Sequence, residues 1–226
     1  MASGMTEFKA NGRTAHGYLA LPEQGSGPGI IVIQEWWGLV DNIKDVADRF
    51  ATAGFAALAP DLYHGSATKS PDEAGKLMMA LNIAETEKDL RGAVDHLLAQ
   101  PSVRGKKVGV VGFCMGGQLS LFAASKNSAI GACVDFYGLH PNVKPDWAGL
   151  KAPVLGLFAE NDAYVNPAAV GELQKTLESH GVSADVHIYP AVAHGFFNNT
   201  RPEVHNAAAA ADAWARVLKF FGQHLG

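Results

Sequence analysis

The sequence contains little cysteine, no excess of positive charge and no long hydrophobic run. Cys114 and Cys133 are the only two cysteines in 226 residues, too few for a secreted disulfide scaffold, so we expect both to be free thiols. A formal net charge of −4, without runs of like charge, argues against nucleic acid and anionic membranes as partners. Because no stretch has the length of a membrane span and the N-terminus lacks a signal-peptide pattern, we expect a cytoplasmic protein.

The length and composition predict one domain over residues 1–226. Residues 1–4 are either a native start, ordered or not, or an addition from cloning. No pair of histidines or cysteines has the close spacing of a zinc site, so we predict neither a metal nor a cofactor. The expected oligomeric state is a monomer or a weak homodimer.

Short apolar runs alternate with segments of helical periodicity. A mostly parallel α/β sheet of about eight strands, covered by helices on both faces, has this pattern. Asn11-Gly12 joins two further runs, which predicts an antiparallel hairpin at the N-terminal edge. The predicted strands are 6–10, 14–21, 29–34, 55–60, 107–112, 130–137, 153–159 and 185–189, and the predicted helices are 43–53, 84–99, 115–125, 168–179 and 207–221.

The segment Gly-Phe-Cys-Met-Gly-Gly, residues 112–117, follows an apolar strand and opens a helical segment. Such a turn lifts one side chain clear of the sheet, and its glycines remove β-carbons that would clash there. Cys114 is therefore the candidate nucleophile, and the backbone N–H of Met115 can face an oxyanion forming beside it. The alternative for Cys114 is a buried apolar residue in a glycine-rich turn, which is our interpretation of Cys133 in its central strand.

Two polar side chains follow later strands. Together with Cys114 they give the chain order nucleophile, acid, histidine. Asp162 follows the apolar run PVLGLFA, and His194 follows DVHIY. The histidine would take the proton of the thiol, while the carboxylate would orient the imidazole. Glu160 is an alternative acid and His205 an alternative base.

These motifs resemble the dienelactone hydrolase family, also called carboxymethylenebutenolidases, over nearly the whole chain. The likeness includes Gln-Glu-Trp-Trp-Gly at residues 34–38, Ala-Pro-Asp-Leu-Tyr at 59–63 and Ala-His-Gly-Phe at 193–196. It implies an α/β-hydrolase fold, with Cys114, Asp162 and His194 as the catalytic triad. It further implies that Glu35 holds the resting thiol and that the backbone N–H of Trp36 is the second oxyanion donor.

The chain differs from the family in the residues that hold the substrate carboxylate. Members that act on dienelactone are known for arginines there, one of them four residues after the catalytic histidine, where this chain has Asn198. The expected lid, residues 70–82, contains no arginine, and Arg201 is either a substitute or an exposed loop cation. We expect small or medium uncharged esters to bind in an apolar pocket formed by Trp37, Tyr137, Phe196 and Phe197.

The sequence thus predicts a hydrolase that cuts an ester or lactone through an acyl thioester on Cys114. A general carboxylesterase or thioesterase is an alternative to a true dienelactone hydrolase. A non-catalytic binding protein on the same scaffold is a second alternative, since a fold does not guarantee chemistry. A redox-active thiol is a third, although Cys133, expected in the core, is badly placed to resolve an oxidised Cys114.

Overall fold

The computed structural model describes residues 2–23, 25–138 and 140–226. Over these residues the chain forms one eight-stranded sheet with six α-helices. The strands are β1 Ala2–Ala10, β2 Arg13–Leu21, β3 Gly27–Ile33, β4 Ala56–Pro60, β5 Val103–Phe113, β6 Ile130–Phe136, β7 Val154–Ala159 and β8 Ala184–Tyr189. The helices are α1 Asp41–Thr52, α2 Pro71–Ala80, α3 Ile83–Leu98, α4 Met115–Lys126, α5 Pro167–Ser179 and α6 Ala207–Leu225.

The strand order in the sheet is β1-β2-β4-β3-β5-β6-β7-β8. β1 pairs with β2, and β2 with β4, in antiparallel register, while all the other neighbouring strands are parallel. The mostly parallel sheet with an antiparallel N-terminal edge is therefore confirmed. One consequence matters for the site: the carboxyl ends of the neighbouring strands β3, β5, β6, β7 and β8 lie at the same edge.

Both faces of the sheet are buried under helices, as the uninterrupted apolar runs predict. Along β3, Ile30 and Val32 enter the core beneath α1 and α6, whereas Ile31 and Ile33 enter the core beneath α3 and α4. This alternation is the two-residue period of a strand, with apolar side chains on both sides. The rigid central strands then hold the loops at their carboxyl ends in fixed positions.

Two regions differ from the sequence-based expectation. β1 begins at Ala2 and not at the predicted residue 6, with Ala2 paired to Leu21 and Gly4 to Leu19; Met1 lies outside the described residues. The lid segment contains α2, which we did not predict as a helix. Its start has recognisable signals, because Pro71 occupies the first turn and the Ser70 hydroxyl accepts a hydrogen bond from the Glu73 N–H.

Among the helices of the described ranges, none combines the length and the apolarity that a bilayer span requires.

The packing of α3 against β1 yields a stability prediction at Gly92. Alanine is intrinsically better than glycine inside a helix by about 1 kcal/mol. A β-carbon on Gly92, however, would lie 2.7 Å from the Lys9 carbonyl oxygen and 2.6 Å from the Ala10 β-carbon. We expect Gly92→Ala to lower the free energy of unfolding by about 1–3 kcal/mol, because overpacking outweighs the helix preference. Urea unfolding measures this.

Gly171→Ala is the matched control, since an added methyl group at this position of α5 meets no atom within 4 Å. The same exchange should here raise the free energy of unfolding by about 0.5–1 kcal/mol. Equal effects at both positions would contradict a close contact between α3 and β1.

Candidate active site

Five polar or reactive side chains follow five neighbouring strands at one edge of the sheet. Glu35 comes after β3, Cys114 after β5, Tyr137 after β6, Asp162 after β7 and His194 after β8. Because these strands are parallel neighbours, residues widely separated in the chain meet at their carboxyl ends. The site predicted from the sequence is therefore assembled by the topology of the sheet.

Cys114 occupies a strained turn between β5 and α4. Its φ of 55° lies in the left-handed region, which is costly for a residue with a side chain. The neighbouring glycines make the turn possible, since a β-carbon on Gly112 would lie 1.8 Å from the Gly116 carbonyl oxygen. One on Gly116 would lie 2.5 Å from the carbonyl oxygen of Gln34. Cys114 is half-buried, in contrast to the fully buried Cys133.

Asp162 and His194 form a tight pair, with 2.7 Å between the Asp162 Oδ2 and the His194 Nδ1. The other carboxylate oxygen, Oδ1, accepts hydrogen bonds from the backbone N–H groups of Tyr164 and Val165. Burial alone would raise the pKa of Asp162, but the bond to His194 and the two amide bonds hold it below its ordinary value. Asp162 is thus kept ionised and points at the imidazole.

His194 is correspondingly basic. Burial disfavours its charged form, yet hydrogen bonds to Asp162 and Cys114, and their negative charges, raise the pKa of His194 to about 10. The Nδ1 faces Asp162, so the Nε2 is the ring nitrogen left to exchange a proton with the thiol. The arrangement can therefore hold a proton on the imidazole.

The two alternative residues have other partners. The Nδ1 of His205 lies 3.0 Å from the Phe196 carbonyl oxygen, so this histidine ties two parts of one loop together. Glu160 is exposed, and its Oε2 accepts a hydrogen bond of 2.7 Å from the Ala191 N–H. Among the described residues, neither Glu160 nor His205 forms a hydrogen bond or ion pair with Cys114, Asp162 or His194.

Glu35 is buried, and its partner is Asn198, a contact that the sequence did not indicate. The Asn198 Nδ2 donates to the Glu35 Oε2 at 2.7 Å. The orientation of the amide is fixed, because its Oδ1 accepts from both the N–H and the hydroxyl of Thr200. Burial raises the pKa of Glu35, an effect that the Asn198 bond and the nearby charge of His194 only partly offset.

The two candidate oxyanion donors are the backbone N–H groups of Met115 and Trp36. Met115 is the first residue of α4, so its backbone N–H has no carbonyl four residues earlier in the helix. Trp36 follows Glu35, and its ring contacts that of Trp37 edge-on, with 5.0 Å between the ring centres. Both amides thus belong to residues next to a site side chain, the N–H of Met115 directly following Cys114.

The residues expected in the pocket separate into two groups. Phe196 and Phe197 are fully buried in the core beneath α1 and α6, as is Tyr137, whose ring centre lies 4.9 Å from that of His194. Trp37 and Arg201 line a cavity of about 600 Å³ beside the centre. The remaining lining residues of this cavity are Leu39, Val40, Asp41, Asn42, Lys44, Ala67, Thr68, Lys69, Asn198 and Thr200.

The second cysteine lies away from the site. Cys133 is fully buried, its sulfur lies 3.4 Å from the Ser120 hydroxyl, and burial raises the pKa of its thiol. It belongs to the core on one face of the sheet, whereas Cys114 packs against the core on the other face. This separation leaves Cys133 unable to resolve an oxidised Cys114 without rearrangement.

Asp135, on β6, is a buried carboxyl group that sequence reasoning missed. Neither of its carboxylate oxygens has a hydrogen-bond partner among the described residues, and burial raises the pKa of Asp135 to about 7 despite the nearby Gly138 N–H. A β-carbon on Gly117 or on Gly138 would lie within 2.2 Å of its Oδ1. The two glycines therefore leave the space that this carboxyl group fills under the first turn of α4.

A family model described as the dienelactone hydrolase family matches residues 15–225. The chain belongs to this family. It is 42% identical over 228 residues to the protein usf of Aquifex pyrophilus, with 98% of each chain covered. It is 36% identical to a protein of Aquifex aeolicus (strain VF5) provisionally named carboxymethylenebutenolidase, again with 98% of each covered. The resemblance inferred from the motifs is confirmed.

A solved structure of similar fold comes from Klebsiella pneumoniae subsp. pneumoniae MGH 78578 and carries the provisional description of a dienelactone hydrolase. It superposes with a TM-score of 0.88 at 27% identity, covering 99% of this chain and 100% of the other. The α/β-hydrolase architecture of a dienelactone hydrolase is therefore confirmed for this chain.

The raised pKa of Asp135 predicts a pH-dependent stability. A carboxyl group whose pKa is higher in the folded than in the unfolded chain stabilises the fold below its unfolded pKa, and this stabilisation is lost as the pH rises through about 7. Asp135→Ala should therefore gain stability relative to the unchanged protein between pH 5 and pH 8, on the order of a few kcal/mol. Thermal unfolding across this range measures the difference.

Asp185→Ala is the control, because it removes an exposed carboxylate from the edge strand β8. The difference between this variant and the unchanged protein should vary much less with pH. A pH-independent difference for Asp135→Ala would show that its carboxyl group ionises normally in the fold.

Proposed function

We propose that this member of the dienelactone hydrolase family cuts a carboxylic ester or lactone by acyl transfer to Cys114. The observation that carries the proposal is the alignment of the ionised Asp162, the basic His194 and the strained Cys114 at one edge of the sheet. Each group has a distinct part in acyl transfer, and the three occur in the chain order of this fold.

In the first half-reaction, His194 takes the proton of the thiol and the sulfur attacks the carbonyl carbon of the substrate. The carbonyl oxygen becomes an oxyanion, which accepts hydrogen bonds from the backbone N–H groups of Met115 and Trp36. The carbon–oxygen bond to the alcohol then breaks, and His194 returns its proton to the leaving alkoxide. The product of this half-reaction is an acyl thioester on Cys114.

In the second half-reaction, water attacks the thioester while His194 removes one of its protons. The carbon–sulfur bond breaks, the sulfur regains a proton from His194, and the carboxylic acid is released. Asp162 stays ionised throughout, because three hydrogen bonds hold its charge, and it stabilises the imidazolium that forms twice in the cycle.

Glu35 acts on the resting thiol. Its raised pKa favours a proton on the carboxyl group, so a neutral Glu35 tolerates a thiolate in the site better than an ionised one. As the pH rises and Glu35 ionises, its charge disfavours the thiolate. The cytoplasmic location and the monomer or weak homodimer remain predictions, as does the choice between a lactone and a general ester or thioester.

Brief exposure to p-nitrophenyl acetate tests the mechanism. We expect an acetyl adduct on the unchanged protein by intact-mass spectrometry, together with release of nitrophenol, because the thioester precedes hydrolysis. Cys114→Ala should lose the adduct and roughly a thousandfold or more of the rate, since the nucleophile cannot be replaced by its neighbours. A panel of lactones, aryl esters and thioesters then ranks the substrates.

Cys133→Ala is the matched control, because the second thiol is buried in the opposite core and should not react. Equal and negligible turnover by the unchanged protein and by Cys114→Ala across the whole panel would favour the non-catalytic binding protein. Consumption of peroxide that requires Cys114 would favour the redox-active thiol instead.

Glu35→Gln tests the role of the buried carboxylate. Glutamine cannot become negative as the pH rises, so the proposed role predicts that this change lowers the midpoint pH for alkylation of Cys114 by iodoacetamide. The rate of alkylation between pH 5 and pH 10 measures this. Glu160→Gln, which changes an exposed carboxylate beside the same site, should leave the midpoint in place. Identical profiles for all three proteins would rule out the role of Glu35.

A further inference from the structure

The imidazole of His194 contacts two tyrosine rings that differ in their exposure. Tyr137 is fully buried, and its ring centre lies 4.9 Å from that of His194. The ring centre of Tyr164 lies 5.2 Å from that of His194, in an edge-to-face arrangement, and Tyr164 is 63% exposed. Tyr164 is therefore the tyrosine that borders the imidazole on a side open to solvent, from which a substrate can approach.

The backbone of Tyr164 is held by the same carboxylate that orients the imidazole. Its N–H donates to the Asp162 Oδ1 at 2.7 Å, and the N–H of Val165 donates to the same oxygen at 2.9 Å. The other oxygen of Asp162 bonds to His194. An aromatic ring whose backbone is fixed beside a reacting group offers a ligand a preformed apolar surface.

Tyr164 and the cavity of about 600 Å³ lie on different sides of the nucleophile. In the sheet, β3 and β4 lie on one side of β5, whereas β7 and β8 lie on the other. The cavity is lined mainly by residues that follow β3 and β4. Tyr164 follows β7 and is not among the described residues that line the cavity. The two parts of an ester bound at Cys114 therefore have different surroundings.

The proposed reaction identifies which part of the ester faces Tyr164. His194 returns its proton to the leaving alkoxide, so the oxygen of the alcohol part must come within hydrogen-bond distance of the imidazole. Because the Tyr164 ring contacts this imidazole, a group attached to that oxygen comes within reach of the ring. Two aromatic rings attract each other when their centres lie about 4.5–7 Å apart.

We propose that Tyr164 is a specificity-determining residue that binds the alcohol part of the substrate and favours an aromatic group there. The proposal rests on the proposed function and specifies its substrate class: an ester of a phenol or of another alcohol that carries an aromatic ring. The Tyr164 side chain acts in the first half-reaction only, because the alcohol leaves before water attacks the thioester.

The two half-reactions of p-nitrophenyl acetate test this inference. In Tyr164→Ala we expect kcat/KM, which reports the acylation of Cys114, to fall roughly fivefold, because the contact with the nitrophenyl ring is lost. The rate constant for loss of the acetyl adduct should not change, because the adduct no longer contains this ring. Intact-mass spectrometry after removal of free substrate measures the second rate constant.

Trifluoroethyl acetate is the matched substrate, since it has the same acyl group and an activated alcohol part without a ring. Its kcat/KM should not change in Tyr164→Ala. The ratio of the kcat/KM values for the aryl ester and for trifluoroethyl acetate should therefore fall roughly fivefold. This ratio also decides the matter when the adduct decays too fast to be isolated.

Three further variants serve as controls. Tyr164→Phe keeps the ring and should keep the ratio of the unchanged protein, whereas Tyr164→Leu is apolar without a ring and should lower it. Met5→Ala removes another exposed apolar side chain, from the edge strand β1 at the opposite end of the sheet from β7 and β8, and should leave the ratio in place.

Two results would overturn the inference and leave the hydrolase intact. Equal losses in acylation and in loss of the adduct, or equal losses with both esters, would show that Tyr164 only supports Asp162 and His194, because His194 serves both half-reactions and both substrates. An unchanged kcat/KM for p-nitrophenyl acetate in Tyr164→Ala would show that the ring does not contact the leaving group.

Failure of the proposed function gives a different result. If the unchanged protein neither hydrolyses the two esters nor forms an adduct, acyl transfer fails, and ligand-observed NMR with benzyl alcohol decides whether the aromatic surface exists. Binding that is lost in Tyr164→Ala and kept in Tyr164→Phe supports this surface. Absence of binding, or binding that Tyr164→Ala leaves in place, overturns it.

Discussion

The first turn of α4 packs directly against the backbone at the carboxyl end of β3. A β-carbon on Gly116 would lie 2.6 Å from the carbonyl oxygen of Ile33, so the two segments approach as closely as peptide groups allow. This contact brings the residues after β3, Glu35 and Trp36, beside the start of the helix that carries Cys114. Cys114, Glu35 and the two candidate oxyanion donors therefore belong to two segments that one backbone contact holds together, a contact that a glycine at position 116 permits.

Three buried carboxyl groups surround this contact, and their surroundings give them different charges. Asp162 receives three hydrogen bonds and has a lowered pKa, whereas Glu35 has one bond from Asn198 and a raised pKa. Asp135 has no partner among the described residues, and its pKa rises to about 7. Hydrogen bonds and neighbouring charges, and not burial alone, thus determine how readily each carboxyl group ionises.

The sequence predicted those elements whose local residue pattern is also required by the fold. Apolar runs located the parallel strands because these are buried on both faces, and the glycine pattern located the turn at Cys114 because only glycine fits there. The helix α2 was not predicted, because only Ala74 of its ten residues is buried and its apolar residues show little helical periodicity. Its cap at Ser70 was the available signal.

Contacts between side chains far apart in the sequence could not be predicted from the sequence. Asn198 was recognised only as a missing arginine, because its bond to Glu35 joins residues 163 positions apart. Phe196 and Phe197 flank the catalytic histidine in the chain, yet they turn into the core, where the ring of Phe197 stacks on that of Phe113. Proximity to His194 in the sequence therefore did not reveal that these two side chains of the loop point into the core.

Asparagine at position 198, in place of an arginine, changes the charge next to Glu35. An arginine at this position would place a permanent positive charge against Glu35 and lower its pKa, which would favour an ionised carboxylate beside the sulfur. Asparagine donates a hydrogen bond without adding charge, so burial dominates and the pKa of Glu35 stays raised. Of the three cations that line the neighbouring cavity, Lys44, Lys69 and Arg201, only Arg201 contributes to lowering the pKa of Glu35.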